Sequence, residues 1–126
     1  MVYMTRTYTK EVTPQGVMML NQKLNQMKKN IFNKYVDKVC ETYDMKKEDL
    51  FTKDKRTDFA GARHLLYYLS IESPMQIAQL RRYMKDNGYD ISHSSIYHGY
   101  NKVTDLVKDD KQISKIVKNI QQECTD

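Results

Sequence analysis

A chain of 126 residues, 40% of them hydrophobic and 29% charged, is long enough for one small core with an appendage and too short for a large enzyme with a deep cleft. Its net charge of +5 is unevenly spread: Arg6, Lys10, Lys23, Lys28, Lys29 and Lys34 stand against Glu11 alone in residues 1–35, while residues 36–126 are electrically balanced. Cys40 and Cys124 lie far apart with no CxxC pair, and only His64, His93 and His98 could join them. A disulfide framework or a zinc site therefore has little support, and no cofactor is implied.

Residues 1–12, rich in Thr and Tyr, read as an arm that is disordered alone or extended along a partner. Thr13-Pro14 then supplies an N-cap and a first-turn proline, although Gly16 weakens that turn. From Val17 the apolar residues Leu20, Leu24, Met27, Ile31, Tyr35 and Val39 recur at spacings of three and four, which predicts a long amphipathic helix with Lys23, Lys28, Lys29, Lys34 and Lys38 on its other face. Its basic first part, residues 13–34, outreaches any core the rest can form. Leu20, Leu24, Met27 and Ile31 are thus candidates for packing against another protein or a second copy. The alternative is a break near Asn30 with the chain folding back.

After Tyr43-Asp44, Leu50 and Phe51 can plug the core, and Lys53, Lys55 and Arg56 form a basic loop. Thr57 caps the next helix, which buries Phe59, Ala62, Leu65, Leu66 and Leu69 and carries Arg63, Tyr67 and Tyr68 on its flanks. Ser73-Pro74-Met75-Gln76 reads as a cap, a first-position proline and a capping-box glutamine. In the helix that follows, Ile77, Leu80 and Met84 point inward and Arg81, Arg82 and Lys85 outward, with Gly88 as its stop. Ser92 or His93 opens another helix, whose core positions are Ile96, Tyr100, Val103 and Leu106 or Val107. Ile113, Ile116, Val117 and Ile120 close the bundle, leaving 122–126 as a tail with Cys124 in it; Cys40 belongs to the core. The fold class is all-α, a small helical bundle containing a helix-turn-helix and preceded by a long helix.

No run approaches the roughly 18 apolar residues of a membrane span, and the first residues lack a continuous apolar segment. Neither a membrane helix nor a secretory signal is expected, and the cytoplasm, of a host cell if the gene is viral, is the default location.

Ser92-His93-Ser94-Ser95-Ile96-Tyr97-His98 places small polar and imidazole groups at the first turn of an otherwise apolar-striped helix, which suits a helix end that meets DNA. Together with Val39 through Met45, Glu48-Asp49-Leu50, the basic loop, Ala60-Gly61-Ala62-Arg63, Leu65, Leu66, Tyr68, Leu69 and Ile77, this stretch resembles the C-terminal DNA-binding domain of the bacterial chromosomal replication initiator DnaA over residues 35–121. The resemblance implies a helix-turn-helix whose second helix enters the major groove, with a basic loop beside the minor groove. Carried over, His93, Ser94 and Ser95 match the family's histidine and two hydroxyl residues, Lys55 and Arg56 lie in the basic loop, and Arg63 matches an arginine on the following helix. The family's Arg-Asp pair before the histidine is here Ile91-Ser92, and the inter-helix connection is longer. Loss of that arginine removes a bidentate guanine contact worth roughly 1–3 kcal/mol of discrimination. No GxxxxGK[ST] loop is present, so the family's ATPase machinery is absent.

Each candidate has a plain structural reading beside the functional one. His93 contacts DNA or caps the helix; Ser94 and Ser95 offer hydroxyls to phosphate. Tyr97 stacks or packs, and His98 shares a face with Ser94. Arg81, Arg82 and Lys85 grip the DNA backbone or are ordinary surface cations. No paired carboxylates suggest acid-base work, so the chain is not expected to be an enzyme. Two functions follow: a duplex-DNA-binding protein of phage or mobile-element replication or transcription control, or a non-enzymatic adaptor or structural component of a particle such as a virion, attached through the arm and first helix.

Overall fold

The computed structural model describes the backbone of residues 14–53 and 57–125, and the side chains of 19–53 and 59–124. Among the described residues six helices follow one another: α1 (Pro14–Tyr43), α2 (Lys47–Leu50), α3 (Thr57–Glu72), α4 (Ile77–Asp86), α5 (His93–Asp109) and α6 (Lys111–Thr125). Among the described residues there is no strand, so the all-α fold class holds. The arm of residues 1–12, the Thr13 cap, Lys55 and Arg56 lie outside the described residues.

Packing separates two units, Met1–Asn30 and Ile31–Asp126. Within the first, the described part of α1 exposes Leu20, Leu24 and Met27. The helix is unbroken across Asn30, without the break expected there in the alternative reading. Ile31 departs from its expected place on the partner surface: it is half-buried against the second unit's core, where Phe32, Tyr35, Val36 and Val39 continue the stripe. One apolar periodicity thus changes occupation at Asn30–Ile31, outward before it and inward after it.

The second unit is built around α3, which packs chiefly on α5 and also on α2 and α4, while α6 closes on α5. Its core joins Val36 and Val39 of α1, Leu50 of α2, Leu66 and Leu69 of α3, Leu80 and Met84 of α4, Ile96 and Val103 of α5 and Val117 and Ile120 of α6. Each such side chain contributes about 1.5–3 kcal/mol when fully removed from water. Arg63, Tyr67 and Tyr68, expected on the flanks of α3, are all buried, because α2, α4 and α5 pack around this helix and cover its flanks as well as its apolar stripe. Of the paired alternatives at the end of α5, Val107 packs on the core and Leu106 is exposed; Ile116 is also exposed.

Helix ends account for three further differences. Ser73-Pro74 terminates α3 instead of starting α4: the Ser73 hydroxyl and the Ser73 and Met75 N–H groups all donate to the Ser70 carbonyl, at 2.5, 3.2 and 3.0 Å. Met75 is then buried, and α4 begins beyond Gln76, which makes no side-chain cap. Cys124, expected in a frayed tail, is buried on the last turns of α6, where Lys38 of α1 meets Glu123 at 2.6 Å. Thr57 is itself helical, one position later in the motif than the cap expected of it.

Candidate nucleic-acid interface

Gly88 sets the geometry of the site. Its φ of +88° is open to glycine at little steric cost, and it lets the Gly88 N–H donate to Lys85 O and the Tyr89 N–H to Met84 O, both at 2.9 Å. This paired closure ends α4 and turns the chain toward α5. Tyr89 follows as the buried residue that such closures bring inward. The connection 87–92 exceeds the three to four residues usual in a DNA-binding helix-turn-helix.

Ser92 caps α5: its hydroxyl oxygen accepts the Ser95 N–H at 3.2 Å and donates to the Ser95 hydroxyl at 3.0 Å. On the inner side of α5, Ile96, Gly99 and Val103 are buried. Gly99 permits close approach to α3, since a Cβ there would lie 2.5 Å from His64 Cδ2 and 2.9 Å from Tyr67 Cδ2. Tyr100 adds a second attachment, its ring stacked on Tyr68 at 5.5 Å and its hydroxyl donating to Glu72 at 3.2 Å. With the inner side so held, the helix turns two rows outward. Ser94 and His98, one turn apart, line a cleft; His93 and Tyr97 form the adjoining row, exposed and outside it.

That cleft encloses about 710 Å³ between the start of α5, the connection before it, and Lys53, Arg63, His64 and Tyr67. Lys53 donates to the Asp90 carbonyl at 2.6 Å and lies 4.5 Å from the centroid of the Tyr89 ring. Arg63, only 6% exposed, donates to the Leu50 and Thr52 carbonyls at 3.3 and 3.0 Å. It therefore holds the loop after α2 in place and forms part of the cleft wall, instead of lying on an outer flank. Burial, Lys102, His98 and Arg63 together hold the His64 imidazole below its ordinary pKa. Burial drives the Tyr67 phenol well above its ordinary value, with Tyr89 raising it further and Arg63 opposing. Among the described residues the Tyr67 hydroxyl has no hydrogen-bond partner.

The structure thus gathers Ser94, Ser95, His98 and Arg63 around one cleft, and leaves His93 and Tyr97 exposed beside it. Arg81, Arg82 and Lys85 are exposed on α4, outside the cleft lining, and Arg81 stands 3.9 Å from Asp90. An exposed pair at that distance is weak enough for a phosphate to compete with it. Tyr89, His64 and Tyr67 were not anticipated at the site. Only Tyr89 carried a local signal, its position directly after a helix-stopping glycine. Among the described residues no group of three His, Cys, Asp or Glu side chains could hold a metal ion, and no helix is long and apolar enough to cross a membrane.

Comparison of the chain with family models, curated proteins and solved structures finds no match.

Proposed function

We propose that this chain binds duplex DNA through the first turns of α5, in the manner that the DnaA resemblance implies, as a non-enzymatic factor in replication or transcription control of a phage or mobile element. The observation that carries the reading is the outward array of Ser92, His93, Ser94, Ser95, Tyr97 and His98, all exposed on one helix start. Unsatisfied N–H groups at such a start favour a phosphate oxygen. His93 and Tyr97, farther out, are the groups that reach base edges, and Arg81, Arg82 and Lys85 meet the backbone.

Ile91 stands where the family has a base-reading arginine and is half-buried against the core. Selectivity then falls to His93 and the hydroxyls, so the recognised sequence is short and differs from the family's box. Selection of bound duplexes from a random pool at two salt concentrations tests this. A short enriched motif retained at higher salt is expected; salt-sensitive retention without a motif reduces the role to backbone binding, and recovery of no duplex refutes the reading.

A second reading, attachment to a protein partner as an adaptor or particle component, is favoured by the exposed Leu20, Leu24 and Met27 of α1. The two are compatible, since they use different residues.

A further inference from the structure

We infer that the exposed stripe of α1 is a seam for an acidic amphipathic helix of another protein, and that Lys23 and Lys28 exclude a second copy of this chain. The inference rests on the attachment reading and is independent of DNA binding. Leu20, Leu24 and Met27 are 57%, 46% and 57% exposed on a continuous helix, and their spacings of four and three are those of alternating d and a positions in a heptad. Met19, also exposed, lies off this line at c, while Leu20, Leu24 and Met27 keep the two-in-seven register of a helix pair. A helix lying in a membrane surface presents a broader apolar face, usually with Trp or Phe, and residues 14–30 contain neither.

With Leu24 at a and Met27 at d, Lys23 falls at g and Lys28 at e, the two positions that border the seam and choose the partner. In a parallel pair of identical helices Lys23 of one meets Lys28 of the other; in an antiparallel pair like positions face each other, again lysine on lysine. Both arrangements juxtapose positive charge, and residues 14–30 hold no Asp or Glu to offset it. The face away from the seam carries the amides Gln22, Asn25 and Gln26 with Lys29 at f, so two of the three lysines of residues 14–30 border the seam, where they select a neighbour. A partner with Glu or Asp at its e and g positions converts each repulsion into attraction.

The test uses the full chain and two labelled synthetic peptides of about three heptads with Leu at a and d. One carries Glu at e and g, the other Lys. The Glu peptide is expected to bind about tenfold more tightly, the scale set by a few exposed pairs changing from repulsive to attractive, with the gap narrowing as salt rises. Leu24→Asp is expected to abolish binding while the helical circular dichroism is retained. Lys23→Glu with Lys28→Glu is expected to reverse the preference, and the unmodified chain to remain monomeric in sedimentation equilibrium. Equal affinity for both peptides would overturn the charge rule and leave the attachment surface standing. Binding of neither, or binding only to phosphatidylserine vesicles, would overturn both, and self-association of the unmodified chain would overturn the exclusion of a second copy.

Discussion

The guanidinium of Arg63 lies 5.0 Å from the centroid of the Tyr89 ring, so a buried cation on α3 meets the aromatic residue that leads into α5. The same guanidinium donates to two carbonyls of the loop after α2. Three segments distant in sequence are thereby fixed around one cleft. Arg63→Ala removes hydrogen bonds from a charged donor, each worth about 1.5–3 kcal/mol, and should lower stability by about 2–4 kcal/mol in urea unfolding. Arg63→Lys should recover only part of this, because a single ammonium lacks the planar fork. A neutral Arg63→Ala would show that the loop does not depend on it.

Gly99 tests the contact that orients α5. Alanine is favoured over glycine in a helix interior by about 1 kcal/mol, yet its Cβ would press on His64 and on the fully buried Tyr67. Overpacking of this kind costs about 1–3 kcal/mol. Gly99→Ala is therefore expected to destabilise by about 1 kcal/mol net, read from the urea midpoint; a stabilised variant would mean that α5 and α3 are less closely apposed.

His64 gives the chain a pH dependence of definite sign. Its folded-state pKa lies below the ordinary 6.5, chiefly through burial. Above 6.5 the imidazole is neutral in both states and its contribution is complete. As pH falls from there toward the folded pKa, the unfolded chain takes up a proton that the folded chain resists, and stability is lost. The melting temperature should fall between pH 7 and pH 5, and more shallowly in His64→Gln. Identical slopes for the two proteins would remove His64 as a source of the effect.

Much of the bundle was legible because burial imposes a period that sequence spacing records: Leu66 and Leu69, Ile96 and Val103, Val117 and Ile120 all lie where spacing puts them. Gly88 was legible because few other residues suit its φ. The burial of Arg63 was not, since a charged residue beside an apolar stripe looks like a flank until the surrounding helices are known. Ser73-Pro74 misled because a hydroxyl and a proline suit the end of one helix as well as the start of the next. At the site, the outward rows 93/97 and 94/98 follow from helical periodicity alone. The cleft beside them did not, because Lys53, His64 and Tyr89 come from separate segments that only tertiary packing unites.

The Tyr67 hydroxyl offers a test of the cleft's floor. A buried hydroxyl without a partner carries a desolvation penalty of about 1–3 kcal/mol. Tyr67→Phe should leave thermal stability unchanged or raise it slightly. A loss above about 1 kcal/mol would reveal a hydrogen bond that the hydroxyl makes in solution.

The most direct test of the DNA reading is the affinity of the full chain for duplex DNA, measured by fluorescence anisotropy over a salt series for the unmodified protein, His93→Ala/Ser94→Ala, Arg81→Ala/Arg82→Ala, and Lys118→Ala on α6 as a charge-loss control. Both double variants are predicted to weaken binding about tenfold or more at fixed salt. Loss of the two arginines should also reduce the salt slope, by about one for each phosphate contact removed, with Lys118→Ala close to the unmodified protein. Affinities unchanged in both double variants would contradict binding through the start of α5.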